Sequence, residues 1–177
     1  MQYFDVVPSV LGELTIACDG EHLTGLWLSE QKYFMANASE VKRKADLPIF
    51  DETRAWLAQY FKGRDPGPIP SVKMSGTEFR MRVWKLLTEI PYGQLTSYGE
   101  LARKVAAEKG MAKMSSRAVG GAVGHNPISI IVPCHRVIGS GGSLTGFGGG
   151  IARKIELLKL EGIDVSKLSI PTRGTAL

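Results

Sequence analysis

Ile128-Ser129-Ile130-Ile131-Val132-Pro133-Cys134-His135-Arg136 is the stretch around which the second half of this 177-residue chain is built. Its branched apolar side chains (Ile128, Ile130, Ile131, Val132) read as a buried strand that ends on Pro, Cys and His. Such an ending sets a thiol and an imidazole at the floor of a pocket. A thiolate is the strongest nucleophile among the side chains, and a neighbouring base is what activates it. Cys18 and Cys134 are the only cysteines, far apart and without a CxxC pair, so free thiols in a reducing compartment are expected.

Working outward, helices flank this run. Thr77-Glu78 caps a helix through Phe79, Val83, Trp84 and Leu87, which Pro91-Tyr92-Gly93 closes. Thr96-Ser97 caps residues 98–107, with Leu101, Ala102 and Val105 inward, and Ser115-Ser116 caps a third helix from Arg117 to Gly124. A fourth, residues 152–160, follows the glycine-rich loop 139–150, which has neither a Walker lysine nor a GxGxxG after a strand and so is no phosphate cradle. The front half differs. Residues 2–7, 13–18 and 22–28 read as an antiparallel meander, and residues 51–61 as a helix with Trp56, Leu57 and Tyr60 on one face. The Pro/Gly cluster at 63–70 then marks a boundary. The expected class is α/β of the α+β kind, with a strand-rich domain over residues 1–70 and a mainly helical domain over 71–177.

Composition, at 44% hydrophobic and 22% charged residues, is that of a soluble globular protein, with no membrane-length apolar stretch. The start lacks the basic and apolar regions of a secretory signal, so the default location is cytoplasmic, or the nucleus in a eukaryote. Charge is uneven. Residues 1–70 hold 7 Lys/Arg and 10 Asp/Glu, whereas residues 71–177 hold 15 and 7. A basic back half suggests a polyanionic partner, although a solubility surface has the same composition unless the charge sits on a recognition element. Two consecutive capped helices in that half look like a helix-turn-helix. In the second, Gly120, Gly121 and Gly124 each cost about 1 kcal/mol relative to Ala. Ala118, Val119, Gly120 and Gly121 cannot read base edges in a major groove but can lie shallowly in a minor groove, with Arg117 as the one long reach. Tight helix–helix packing explains the glycines equally well at this point.

Four motifs in order resemble the O6-alkylguanine-DNA alkyltransferase (methylated-DNA–protein-cysteine methyltransferase) family. They are Pro91-Tyr92-Gly93-Gln94-Leu95-Thr96-Ser97-Tyr98, the segment from Arg117 to Pro127, Ile131-Val132-Pro133-Cys134-His135-Arg136-Val137, and Leu157-Leu158-Lys159-Leu160-Glu161-Gly162. The resemblance runs over about residues 76–163 and implies a ribonuclease H-like front domain. It implies DNA repair by direct reversal: a suicide methyltransferase that binds duplex DNA through the minor groove as a monomer. It flips out O6-alkylguanine, and O4-alkylthymine as well, and moves the alkyl group irreversibly to its own cysteine, without cofactor or membrane. Flipping is needed because the reacting atom lies inside the duplex.

Position by position, the resemblance makes Cys134 the nucleophile, His135 its base through a water, Glu161 the orienter of the imidazole, and Asn126 a hinge between recognition helix and active-site turn. Tyr98 would donate to the departing guanine. Arg117, Ala118, Gly120, Ser97, Thr96, Ser116 and Ser140 would face DNA, with Tyr98, Val132, Pro133, Gly148 and Gly149 lining the substrate pocket. Arg136 reads as a structural ion-pair residue. One Cys and one His in the front half (Cys18, His22) cannot supply four zinc ligands, so no metal is expected. Two positions depart from the family. Gly148 stands where many relatives have a serine, and Ser129 replaces a proline found in some, which suggests a wider and more mobile pocket mouth open to larger O6-alkyl groups. A lesion-binding relative that does not react would lack the cysteine, an activator would need a further metal-binding domain, and a thiol hydrolase would need a distant histidine.

Overall fold

The computed structural model describes residues 1–172. The front half folds as a four-stranded sheet in the order β3-β2-β1-β4, with β1 at Gln2–Val7, β2 at Leu14–Cys18, β3 at Leu23–Leu28 and β4 at Val41–Arg43. The meander β1-β2-β3 is antiparallel, and every residue of β2 is buried. Helix α1 (Pro48–Tyr60) starts on a proline, whose missing N–H costs nothing at a helix N-terminus. It lays Ile49, Phe50, Leu57 and Tyr60 on the core. Strand β4 was not foreseen. Its three exposed residues, Val41-Lys42-Arg43, carry no alternating pattern, and only parallel backbone pairing to β1 makes them a strand.

The back half packs α2 (Glu78–Thr88), α3 (Tyr98–Glu108), α4 (Ser116–Gly124) and α5 (Ile151–Leu160) around the Cys134 segment. The hydroxyl-capped starts follow the sequence signals. Thr77 accepts from the Arg80 amide, Ser115 accepts from the Ala118 amide, and Ser97 forms a reciprocal capping box with Glu100. Trp84 Nε1 donates to the Ala122 carbonyl at 2.8 Å, which pins α2 to α4. A two-residue parallel pair, β5 (Thr96–Ser97) with β6 (Val137–Ile138), holds the start of α3 beside the end of the Cys134 turn.

The halves meet along the open edge of β3. The Leu23 amide donates to Ser71 O and the Lys73 amide returns to Leu23 O, both at 2.8 Å. The Leu26 amide donates to Pro127 O and the Ser129 amide to Leu26 O, both at 2.9 Å. Segments of the back half thereby satisfy an edge that would otherwise stand exposed. The hydrophobic core runs without a break from Leu14 through Trp84 to Leu157. No described helix is long and apolar enough to cross a membrane.

Candidate active site

The Ile128–Val132 run is buried but is not a strand, which corrects the sequence expectation. Only the Ser129 amide reaches β3; the others bond locally, Ile131 N to Ser129 O and Val132 N to Ile128 O, and Cys134 N follows to Val132 O. Ile130 is forced to φ 70°, a left-handed conformation that costs a β-branched residue on the order of 1–3 kcal/mol. Asn126 holds this turn shut. Its Oδ1 accepts from the Ile128 amide at 3.0 Å, and its Nδ2 donates to Val132 O at 2.8 Å. An apolar run alone could not reveal that a side-chain amide replaces the ladder partner a strand would have had. The turn delivers Cys134 to the first position of a single 3-10 turn, Cys134–Arg136, with the thiol side chain 6% exposed. Burial pushes its pKa up, against the Asn126 hydrogen bond and the charge of Lys154. Cys134 is therefore a protonated thiol at neutral pH, and it needs a base.

The next residue, His135, belongs to a buried polar cluster. His135 Nε2 sits 2.6 Å from Glu161 Oε1. The carboxylate also accepts from Tyr60 Oη at 2.8 Å, from Arg136 Nε at 2.8 Å and Nη2 at 3.1 Å, and from the Gly93 amide at 3.0 Å. Burial alone would raise the Glu161 pKa, but His135 and Arg136 hold it down at about 2, so it stays ionised. For His135 burial dominates and lowers the pKa despite Glu161, which keeps the imidazole neutral. The nitrogen against the carboxylate is assigned the proton, leaving Nδ1 as the lone-pair acceptor. Nδ1 has no hydrogen-bond partner among the described residues. Arg136 also donates to Ile90 O.

Two members of this site escaped the sequence. Tyr60, read as a core residue of α1, carries no local mark of its role. Lys154 does carry one. It shares the inward face of α5 with Leu157 and Leu158, and a lysine at that spacing is buried only if paired. Its ammonium donates to Val137 O and Thr145 O, and burial lowers its pKa to about 8.

A cavity of about 540 Å³ opens on the neighbouring face, lined by Ser97, Tyr98, Arg103, Ser116, Arg117, Gly120, Ser140 and Gly146, among others. Arg117 is exposed on the first turn of α4. Thr96 and Ala118 lie outside the lining: the Thr96 hydroxyl donates to Glu100, and Ala118 points to solvent. Tyr98 Oη donates to Thr145 O at 3.1 Å and Gly146 O at 3.0 Å. Gly146 sits at φ 78°, where an added Cβ would come within 2.5 Å of that hydroxyl, so only glycine fits there. The helix glycines behave otherwise. A Cβ on Gly121 or Gly124 would meet nothing within 4 Å, and one on Gly120 would make ordinary contact with the Tyr98 ring. Packing among the described residues does not require them.

Val132 and Pro133, which precede Cys134 in the chain, are buried and lie outside the lining of the cavity. At Gly148 a Cβ would rest 3.5 Å from Gln31 Cγ, and its carbonyl accepts from the Lys32 amide at 3.2 Å. At Gly149 a Cβ would collide with the Phe147 ring at 2.7 Å. Ser129 is 1% exposed and donates to Gln31 Oε1 at 3.0 Å. Gln31 and Lys32 from the front half thus hydrogen-bond to both departing positions.

Residues 2–67 match the family model of the 6-O-methylguanine DNA methyltransferase ribonuclease-like domain, and residues 78–163 that of the 6-O-methylguanine DNA methyltransferase DNA binding domain. The methylated-DNA–protein-cysteine methyltransferase of Haemophilus influenzae is 43% identical over 163 residues, covering 91% of this chain and 87% of that protein. The protein of the same name from Mycobacterium bovis is 45% identical over 161 residues, covering 91% and 93%. In three dimensions the chain is similar to Mycobacterium tuberculosis OGT solved in complex with DNA, at a TM-score of 0.77 and 41% identity over 94% of each chain.

Proposed function

The chain belongs to the 6-O-methylguanine DNA methyltransferase family, the methylated-DNA–protein-cysteine methyltransferases, and on that premise we propose that Cys134 is its alkyl acceptor. The protein repairs DNA by direct reversal, transferring an alkyl group from the damaged base to its own cysteine. The observation that carries the assignment of Cys134 is the ordering of groups behind it. A protonated thiol is followed in the chain by a neutral imidazole whose Nε2 is fixed on an ionised carboxylate and whose Nδ1 has no partner among the described residues.

The Cys134 thiol proton passes through a water to His135 Nδ1. Sγ attacks the alkyl carbon in line, the S–C bond forms as the C–O6 bond breaks, and the electron pair leaves on O6. The leaving purine gains one proton at N1 from solvent, the imidazolium releases one to solvent, and neutral guanine departs. Glu161 stabilises the transient imidazolium. Tyr98, whose proton burial holds firmly, shifts its hydroxyl from the Thr145 and Gly146 carbonyls to the entering base. A flipped base reaches the site from the minor groove, with Arg117 taking its place in the stack and the exposed Gly121 of α4 meeting the groove wall. O4-alkylthymine presents a similar alkylated oxygen and is a second substrate. The protein acts as a monomer.

Incubation with duplex DNA bearing O6-methylguanine, followed by peptide mass mapping, tests this. One methyl per chain, confined to the Cys134 peptide, is expected, with Cys134→Ser unmethylated but still bound to DNA. Turnover, or methylation elsewhere, sinks the assignment.

A further inference from the structure

We propose that Tyr60, from α1 of the front half, is a positioning residue for alkyl transfer: its hydroxyl donates to Glu161 Oε1 and so limits how strongly that carboxylate pulls on His135. The inference rests on the role given above to His135. Tyr60 is fully buried, stacked on Trp56 at 5.5 Å and met edge-on by Phe61 and Tyr92. A phenylalanine would fill that space. The hydroxyl is what needs a reason, because burying one without a partner is unfavourable. Its partner is the same oxygen that accepts from His135, at 2.8 Å against 2.6 Å. The Tyr60 oxygen also lies 3.2 Å from His135 Nε2, but both groups point their protons at Oε1, and the shorter, charge-assisted bond to the carboxylate governs.

The groups facing His135 are Glu161 at the end of α5, Lys154 within it, Arg136 and Cys134 on its own turn, and Tyr60 from α1. Tyr60 stays protonated, its pKa pushed far up by burial and by Glu161, so it is a donor at every working pH. Each proton donated to Oε1 spreads the carboxylate charge and weakens its hold on an imidazolium. Without the Tyr60 proton, the charge concentrates on the His135 contact and the imidazole becomes more basic. Below its pKa His135 is already charged and cannot take the thiol proton.

The experiment is the pH profile of the second-order rate of transfer from O6-methylguanine duplex DNA, for the wild type and Tyr60→Phe, alongside DNA affinity and melting temperature. The acid limb is expected to move up by about half to one pH unit, lowering the rate on that limb about threefold to tenfold, while the plateau stays within about threefold. A ring-fluorinated tyrosine at position 60, a stronger donor of nearly the same shape, is expected to move the limb the other way, and decides the matter should Tyr60→Phe fold poorly. Limbs that stay in place, or move alike in the two variants, overturn the proposal, whatever happens to the plateau. Absence of methylation at Cys134 in the wild type would strike the underlying reading instead.

Discussion

At the scale of single residues the site depends on satisfying every lone pair of one buried carboxylate. Replacing Glu161 by Gln leaves Arg136 buried without its counter-charge, and removing one partner of such a pair costs about 3–5 kcal/mol. The folded carboxyl titrates near 2 against an ordinary 4.5, so the unfolded chain binds its proton more readily. This contribution is complete above pH 4.5 and fades as pH falls towards 2. Urea denaturation of the wild type and Glu161→Gln at several pH values is expected to show a stability gap that is widest near neutrality and narrows through that window. Of this cluster, Cys134, His135 and Arg136 were legible because they are adjacent in the chain. Glu161 needed the family motif. Tyr60 was not legible at all, since a tyrosine on an apolar helix face looks the same whether its hydroxyl meets water or a carboxylate.

Elements were legible where local chemistry sets their ends. The capping residues Thr77, Ser97 and Ser115 announce α2, α3 and α4 because a hydroxyl on the first free amides is a local matter. Replacing Ser97 by Ala breaks the capping box and should lower stability by about 1 kcal/mol, read as a shift in denaturation midpoint at unchanged slope. Where structure comes from a distant strand or from a side chain that replaces a ladder partner, sequence pattern misleads: β4 exists through β1, and the Ile128–Val132 turn through Asn126. Helix α4 joins both kinds of information. Since a Cβ at Gly121 meets nothing in the chain, Gly121→Ala should stabilise the protein by about 0.5–1 kcal/mol. The same methyl group would stand between the helix and a groove wall, so DNA binding is expected to weaken, by tenfold or so for about 1.4 kcal/mol lost. A gain in melting temperature together with a loss of affinity in fluorescence anisotropy is the outcome to look for. Tighter binding would place the DNA face elsewhere on α4.

For the whole molecule, the Pro/Gly cluster at 63–70 separates two regions of sequence, yet the physical joint is continuous. Ser71, Lys73, Pro127 and Ser129 complete the edge of β3, Tyr60 reaches Glu161, and Gln31 holds Ser129. An edge bonded in this way gives neither half a stable surface of its own, so the front and back should unfold together. Gln31 is the most direct test of that coupling. Its Oε1 accepts from the Leu28 amide at 3.1 Å within the front half and from the Ser129 hydroxyl in the back half. Gln31→Ala orphans both buried donors, at about 1–3 kcal/mol apiece before relaxation. Trp27 and Trp56 report on the front half and Trp84 on the back. With single-tryptophan variants as background, Gln31→Ala is expected to shift the urea midpoint equally at all three probes, with unchanged slope, and to slow methyl transfer as the Ser129 turn beside Cys134 relaxes. Separate midpoints for Trp27 and Trp84 would instead mean that the β3 edge is a docking contact between independent domains, and the slower transfer would then have to arise within the back half alone.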